Sequence, residues 1–319
     1  MFFKHLWEKI SLFRWFFQIC HSGDYSFLKE SLPEFSDFKQ IPSDKLFAKM
    51  SLLLRGLDSK SCEICINYFL FHYHVRAAGV KIIQTNALSV KKQACCFEQN
   101  LRYLQSKYSG FNEELTYEII GSHHGLLDLS EKAKKYIQNK IFIDAGAYNG
   151  NSSLIFLEYL PEKVYAFDIS EKNSQKFQKN MQMNKISTDK VELFRNGLGD
   201  AEQDIAFEDG KDGSTSLNHS GNSHVHITTV DSFFRNIGPI GFIKADVEGF
   251  GYKMLCGMTE ILKRDRPILS LSIYHNAEEF LEMKPFLESL DLNYNIRIVP
   301  MERYFFTEIV LFAVPNELL

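Results

Sequence analysis

The sequence lacks a charge excess of either sign: 36 lysines and arginines stand against 40 aspartates and glutamates in 319 residues, a net charge of -4. Proteins that bind phosphate backbones usually show a basic surplus, so no nucleic acid partner is expected and a small-molecule or glycan acceptor fits better. Uninterrupted hydrophobic runs are also missing. The stretch "MFFKHLWEKISLFRWFFQIC" is broken by Lys4, Glu8, Lys9 and Arg14, which excludes a spanning segment or a signal h-region there. Its Phe3, Leu6, Trp7 and Ile10 follow helical spacing. That makes an amphipathic helix, expected to pack on the body, with peripheral membrane contact as the alternative. Cysteine is sparse. Cys20, Cys62, Cys65, Cys95, Cys96 and Cys256 do not form the framework of a small secreted domain, so a cytoplasmic location is expected. There is no internal repeat and no low-complexity segment, and the sequence does not reveal an oligomeric state.

Up to about residue 130 the pattern is helical, with "DKLFAKMSLLLRGL" and "CEICINYFLFHYHVRAAGVKII" carrying apolar residues three and four apart. "SHHGLLDLS" interrupts it, and Ser130 then stands as N-cap of "SEKAKKYIQNK". Residues 1–123 are accordingly read as a helical N-terminal region and 124–319 as a second domain. From Ile141 short apolar strands alternate with amphipathic stretches, the pattern of an α/β fold with a mostly parallel sheet. "KIFIDAG", "KVYAFDIS", "KVELFRNGL", "GFIKADVEG" and "PILSLSIYH" are the strands. "SEKNSQKFQKNMQMN", "GFGYKMLCGMTEILKR" and "AEEFLEMKPFLESL" are helices, and "YNIRIVP" with "TEIVLFAVP" is a terminal antiparallel hairpin. The polar, glycine-rich "EDGKDGSTSLNHSGNSHVHITTV" reads as a loop or hairpin over the end of the sheet.

Chemistry concentrates at the carboxyl ends of those strands. Asp144-x-Gly146-Ala147-x-x-Gly150 follows the first strand. It is not the dinucleotide fingerprint G-x-G-x-x-G, because an acid stands where the first glycine would be. A pyrophosphate is held by backbone N–H groups and a helix N-terminus away from carboxylates, whereas a cofactor bearing an ammonium and a sulfonium is compatible with one. S-adenosylmethionine is such a cofactor; a plain strand-to-helix turn is the alternative. Asp168 ends the second strand 24 residues later, near the spacing at which an acid reaches ribose hydroxyls. Asn196, Gly197 and Leu198, after the third strand, stand where an adenine would be sandwiched. Lys244, Asp246 and Glu248 alternate along the fourth strand and so share one face at its ligand-binding end. His275, beside Tyr274 at the end of the fifth, is expected to titrate near neutrality and to serve as the general base for a hydroxyl proton.

Taken together, these segments resemble the FkbM family of S-adenosylmethionine-dependent methyltransferases over about residues 124–315. "GLLDLSEKAKKYI", "FIDAGAYNG", "YAFDIS", "ADVEGFGYKMLCG", "RPILSLSIYH" and the closing hairpin carry the likeness. The resemblance implies a Rossmann-like class I methyltransferase fold, with a seven-stranded sheet whose last hairpin holds one reversed strand. It also implies O-methylation of a hydroxyl on a sugar or secondary metabolite. Asp144, Gly146 and Gly150 match the family's cofactor loop, and Asp246-Val247-Glu248-Gly249 its D-V-E-G. Asp168 matches an acid that is commonly Glu. His275, Asp246 and Glu248 are then the catalytic candidates, with Asp246 at the methyl end of the cofactor and Glu248 orienting the acceptor or the histidine. A variant of this reading adds Mg²⁺ on Asp246 and Glu248.

Two other function classes compete: a nicotinamide-dependent sugar dehydrogenase or epimerase, and a non-catalytic binding or scaffold protein on the same fold. The dehydrogenase predicts G-x-G-x-x-G and a Tyr-x-x-x-Lys pair; the first is absent and no convincing second is found. Cys62-x-x-Cys65, Cys95-Cys96, His72 and His74 do not make a zinc site, since the first pair falls at one helical turn and adjacent cysteines are poor partners for four ligands. His123, His124, His219, His224 and His226 are read as solvated loop residues.

Overall fold

A strand buried along its whole length on both faces belongs inside a layered sheet, and Ile141–Ala145 is such a strand. The computed structural model describes residues 37–78, 87–111, 117–209, 215–216, 223–301 and 308–319. The N-terminal aromatic helix, Cys20 and His219 lie outside the described residues. In chain order the strands are β1 (Ile141–Ala145), β2 (Val164–Phe167), β3 (Val191–Phe194), β4 (Gly197–Leu198), β5 (Gln203–Asp209), β6 (Thr215–Ser216), β7 (Ser223–Thr228), β8 (Ile240–Ala245), β9 (Ile268–Ser272), β10 (Tyr294–Pro300) and β11 (Ile309–Pro315).

Seven of them form one sheet in the order β10-β11-β9-β8-β1-β2-β3. β9, β8, β1, β2 and β3 run parallel, and β11 is antiparallel to both its neighbours. This is the class I methyltransferase sheet with its reversed strand in the terminal hairpin. Because the chain leaves β1 toward β2 and β3 and later returns to β8 on the other side, the strand order reverses between β1 and β8. That is the crevice where open α/β sheets bind ligands.

The helices before the sheet are α1 (Ser43–Leu54), α2 (Ser59–Ala78), α3 (Ala87–Lys107) and α4 (Glu131–Ile137), preceded by one turn at Asp37–Gln40. Ser130 caps α4 by accepting from the Ala133 N–H at 3.1 Å. Leu53, Ile64 and Tyr68 share a hydrophobic core with Phe280 and Leu287 of the helix Ala277–Ser289 and with strands of the sheet. Polar ties reinforce the join: the Ser61 hydroxyl accepts from the Ile298 N–H at 3.0 Å, and Tyr68 donates to the Tyr274 carbonyl at 2.9 Å. On the other face, Phe142, Phe156 and Phe242 meet edge-on or tilted at centroid distances of 5.3 to 6.0 Å.

One expectation needs correction. "GFGYKMLCGMTEILKR" is two helices, Gly251–Cys256 and Thr259–Asp265, broken at Gly257. A Cβ on Gly257 would lie 1.9 Å from the Gly199 carbonyl oxygen, and its own carbonyl accepts from the Asp231 N–H at 3.0 Å. Asp231 then takes over as cap, accepting from Glu260 and Ile261 at 3.0 and 2.8 Å. The apolar stripe Met254, Leu255, Met258, Ile261 and Leu262 is still fully in the core. The polar segment after the third strand, expected as a loop or hairpin, takes the hairpin form and extends it: β7 pairs antiparallel with β5 and parallel with β4, building a second, four-stranded sheet. Ile205 and Phe207 are buried on either side of the half-buried Ala206 and share a small core of their own with Val225 and Ile227.

Candidate active site

A cavity of about 400 Å³ opens at the carboxyl ends of β1, β2 and β8, at the strand-order reversal. Its wall includes Gly146, Ala147, Asp168, Asn196, Gly197, Leu198, Lys244, Asp246, Glu248 and Tyr274. Gly146 has φ +76, and a Cβ there would lie 1.8 Å from the Asp246 carbonyl oxygen. Only glycine lets the β1 loop pass against the β8 loop, which is what brings their side chains to one cavity. Phe167 fixes the loop by accepting from the N–H groups of Gly146 and Ala147 at 2.9 and 3.0 Å.

Asp168 sits at the cavity edge with both oxygens engaged. It accepts from the Tyr148 N–H at 2.8 Å and the Ser170 N–H at 2.9 Å, with Asn173 Nδ2 at 3.3 Å. Burial raises its pKa, against the lowering effect of these donors and of Lys244. A carboxylate has about four acceptor sites; Asn173 Nδ2 is shared between both oxygens at 3.3 and 3.4 Å, so ligand hydroxyls would take the place of that long contact.

Asp144 is fully buried beneath the loop, and the cavity wall does not include it. Its Oδ2 accepts from the Ser153 hydroxyl at 2.6 Å, and Oδ1 faces the Lys244 ammonium at 3.4 Å. Lys244 also donates to the Gly146 carbonyl at 2.7 Å. Burial opposes the charge on Lys244, yet Asp144, Asp246 and Glu118 outweigh it and hold its pKa above the ordinary value. Asp144 thus organises the loop through Lys244, while Asp246 and Glu248 face the cavity.

His275 departs from expectation in its charge. Its Nδ1 lies 2.9 Å from Glu279 Oε2, and its Nε2 lies 3.0 Å from Asp246 Oδ1 and 4.0 Å from Glu248 Oε2. Burial disfavours the imidazolium, but Asp246 and Glu279 overcome it and push His275 up to about 10. It therefore does not titrate near neutrality, and a ring that stays protonated cannot take a proton. Asp246 answers in kind: despite burial, His275, Lys244 and a hydrogen bond from Tyr274 at 3.2 Å hold its carboxyl well below the usual range. Glu248 differs again, since burial raises its pKa and its side chain is half exposed. It sits at φ +49, ahead of Gly249 at φ +93, in a turn that presents it at the cavity.

Residues 144–296 match the methyltransferase FkbM domain family. The chain carries a methyltransferase FkbM domain. That family is S-adenosylmethionine-dependent, which implies the same cofactor for the FkbM domain here. No curated protein matches. Among solved structures the chain is similar to a methyltransferase FkbM from Methylobacillus flagellatus KT, with TM-score 0.56 and 17% identity over 85% of this chain. It spans 60% of the length of that structure, and the likeness is one of fold. An rRNA methylase from Streptococcus thermophilus (TM-score 0.38, 18% identity, 62% of this chain and 95% of that one) is also similar. So is SMU.1697c from Streptococcus mutans, in complex with SAH (TM-score 0.36, 18% identity, 57% of this chain and 95% of that one).

Some of the histidines expected to be solvated are placed otherwise by the fold. His123 and His124 are buried, not solvated. His124 Nδ1 meets Glu118 Oε1 at 2.6 Å, and His123 Nδ1 meets the Tyr159 hydroxyl at 2.9 Å. Both histidines stand directly before Gly125 in a break between helices and adopt the left-handed region, at φ 49 and φ 55. His224 and His226 are exposed on β7, and His226 lies 3.0 Å from both Glu202 and Asp204. Among the described residues no group of three or more His, Cys, Asp or Glu side chains is arranged to hold a metal, and no helix is long and apolar enough to cross a membrane.

Proposed function

We propose that this protein transfers a methyl group from S-adenosylmethionine to a hydroxyl of a carbohydrate or a related metabolite. The observation that carries the reading is the cavity at the β1/β8 reversal, which gathers Gly146, Asp168, Gly197, Asp246 and Glu248 on one wall. When bound, S-adenosylmethionine supplies a methyl group on a cationic sulfur and leaves as a neutral thioether. The protein's own residues would align the partners and manage charge and proton. Asp168 accepts from the ribose hydroxyls, and Asn196 to Leu198 flank the adenine. Asp246, held ionised by His275 and Tyr274, places a fixed negative charge beside the cationic end.

An acceptor hydroxyl must lie in line with the methyl group and must lose its proton as it attacks. With His275 held as a cation, Glu248 takes that role. Its raised pKa makes it a better proton acceptor than an ordinary surface carboxylate. His275 instead locks Asp246 in place and keeps it charged.

Calorimetry with S-adenosylhomocysteine and NAD tests the cofactor: the first should bind and the second should not. Incubation with labelled S-adenosylmethionine and extracted cell glycans should yield an alkali-stable methyl ether, and exclusive labelling of amines or carboxylates would overturn the hydroxyl assignment. Full activity in the presence of a chelator is expected. Loss of activity would place Mg²⁺ on Asp246 and Glu248.

A further inference from the structure

A chain of three side chains on the cavity wall has no part in the roles assigned so far. Glu118 Oε1 lies 2.6 Å from His124 Nδ1, and His124 Nε2 lies 2.8 Å from Ser152 Oγ. All three residues are at least nine-tenths buried and all border the cavity. Buried polar groups are costly unless paired, and here His124 spends both ring nitrogens on the pairing. The backbone adds to the cost: Glu118 opens a π-helical turn, and His123 and His124 both adopt left-handed φ angles. Local strain and a buried polar chain on one cavity wall point to a ligand contact. Glu118 Oε1 is taken by His124, while Oε2 has no partner among the described residues.

The position of the chain says which part of a ligand it meets. In the reading above, on which this inference rests, adenine lies at β3 and ribose at β2. The rest of the cofactor then extends back across β1 toward β8. Ser152 is on the helix that follows β1, and Glu118 acts electrostatically on Lys244 of β8 and on Tyr274 beyond β9. The group at that end of S-adenosylmethionine is an α-amino acid, with one ammonium and one carboxylate. We infer that Ser152 and Glu118 hold this amino acid end, the Ser152 hydroxyl donating to its carboxylate and the free Glu118 oxygen accepting from its ammonium. His124 is a positioning residue that fixes both by bridging them. The Ser152 hydroxyl can donate outward when its oxygen accepts from His124 Nε2–H.

The test compares two ligands on the full chain. S-adenosylhomocysteine carries the amino acid end, and 5′-methylthioadenosine lacks it. Wild-type protein should bind the first more tightly. Ser152→Ala and Glu118→Gln should each weaken S-adenosylhomocysteine about 10- to 100-fold and leave 5′-methylthioadenosine within about twofold. His124→Phe should do the same, since its effect runs through the other two. Unchanged 5′-methylthioadenosine affinity also reports that each variant has kept its fold. Equal losses for both ligands would mean a structural role and overturn the inference, as would no loss for either. Wild-type protein that binds both ligands equally would overturn it while leaving the cofactor reading intact. Wild-type protein that binds neither would overturn that reading as well.

Discussion

The Nε2 of His275 lies 3.0 Å from Oδ1 of Asp246. The contact is chiefly ionic, because Nε2 makes no well-aligned hydrogen bond, while Nδ1 faces Glu279 at 2.9 Å. One cation thus separates two carboxylates that would otherwise repel each other, and Glu279 is itself fully buried. Glu279 spends its other oxygen accepting from the Gly251 N–H at 2.7 Å, which ties the β8 loop to the same network.

His275→Gln should therefore be destabilising, by about 3–5 kcal/mol at neutral pH, the usual cost of removing one member of a buried ionic set. The pH dependence has a definite sign. The folded-state pKa of about 10 is above the ordinary histidine value of 6.5, so the stabilisation is fully present below about pH 6.5 and is lost as pH rises through 10. Urea denaturation of wild type and variant at several pH values checks this. The gap between them should be widest at pH 6, narrow steadily from about pH 6.5 and be largely closed by about pH 10; a gap that grows with pH would contradict it.

The same network shows what could and could not be read in advance. The central strands are covered on both faces and appear as short apolar runs, and their spacing with the intervening helices carried the sheet. Asp168, Asp246 and Glu248 were legible as acids at strand ends. His275 was legible as a strand-end residue, but its charge depends on two carboxylates. One of them, Glu279, stands four positions on in "HNAEE", so that half of the trap was in view. Glu118 and His124 were hidden for another reason. They precede the sheet in a segment with no period, and only the tertiary fold brings them to Ser152.

Gly146→Ala should remove cofactor binding and lower stability together. The alanine would have to adopt φ +76, which costs about 1–2 kcal/mol for a residue with a Cβ, and its methyl group would lie 1.8 Å from the Asp246 carbonyl oxygen. Backbone, not a flexible side chain, is in the way, so the β1 and β8 loops must separate. A lower melting temperature with no detectable S-adenosylhomocysteine binding is the expected result. Near-normal binding would show that the two loops can part without disturbing the cavity.

Asp168→Ala should weaken S-adenosylhomocysteine by about 10- to 100-fold, the range for losing hydrogen bonds to a charged group. Because Asp168 also accepts from the Tyr148 and Ser170 N–H groups, some loss of stability should accompany it. A 2′-deoxyribose analogue of the ligand separates the two effects. If the carboxylate holds the ribose, wild type should discriminate against the analogue and the variant should not. Equal discrimination by both proteins would remove Asp168 from the ribose.

Glu248→Gln tests the reassigned proton acceptor. The amide has the same size and can still meet an acceptor hydroxyl, but it cannot take its proton. S-adenosylhomocysteine affinity should stay within a few-fold of wild type while the methyl-transfer rate falls by about 10²- to 10⁴-fold, the usual contribution of a general base. The raised pKa of Glu248 gives a second signature. Wild-type rate should fall as pH drops through a value above the ordinary glutamate value of 4.5, because the base is then protonated. The slow variant should lack that limb. If it kept both the wild-type rate and the acid limb, the proton would have to leave by another group, and the fixed charges of Asp246 and His275 would make neither of them that group at neutral pH.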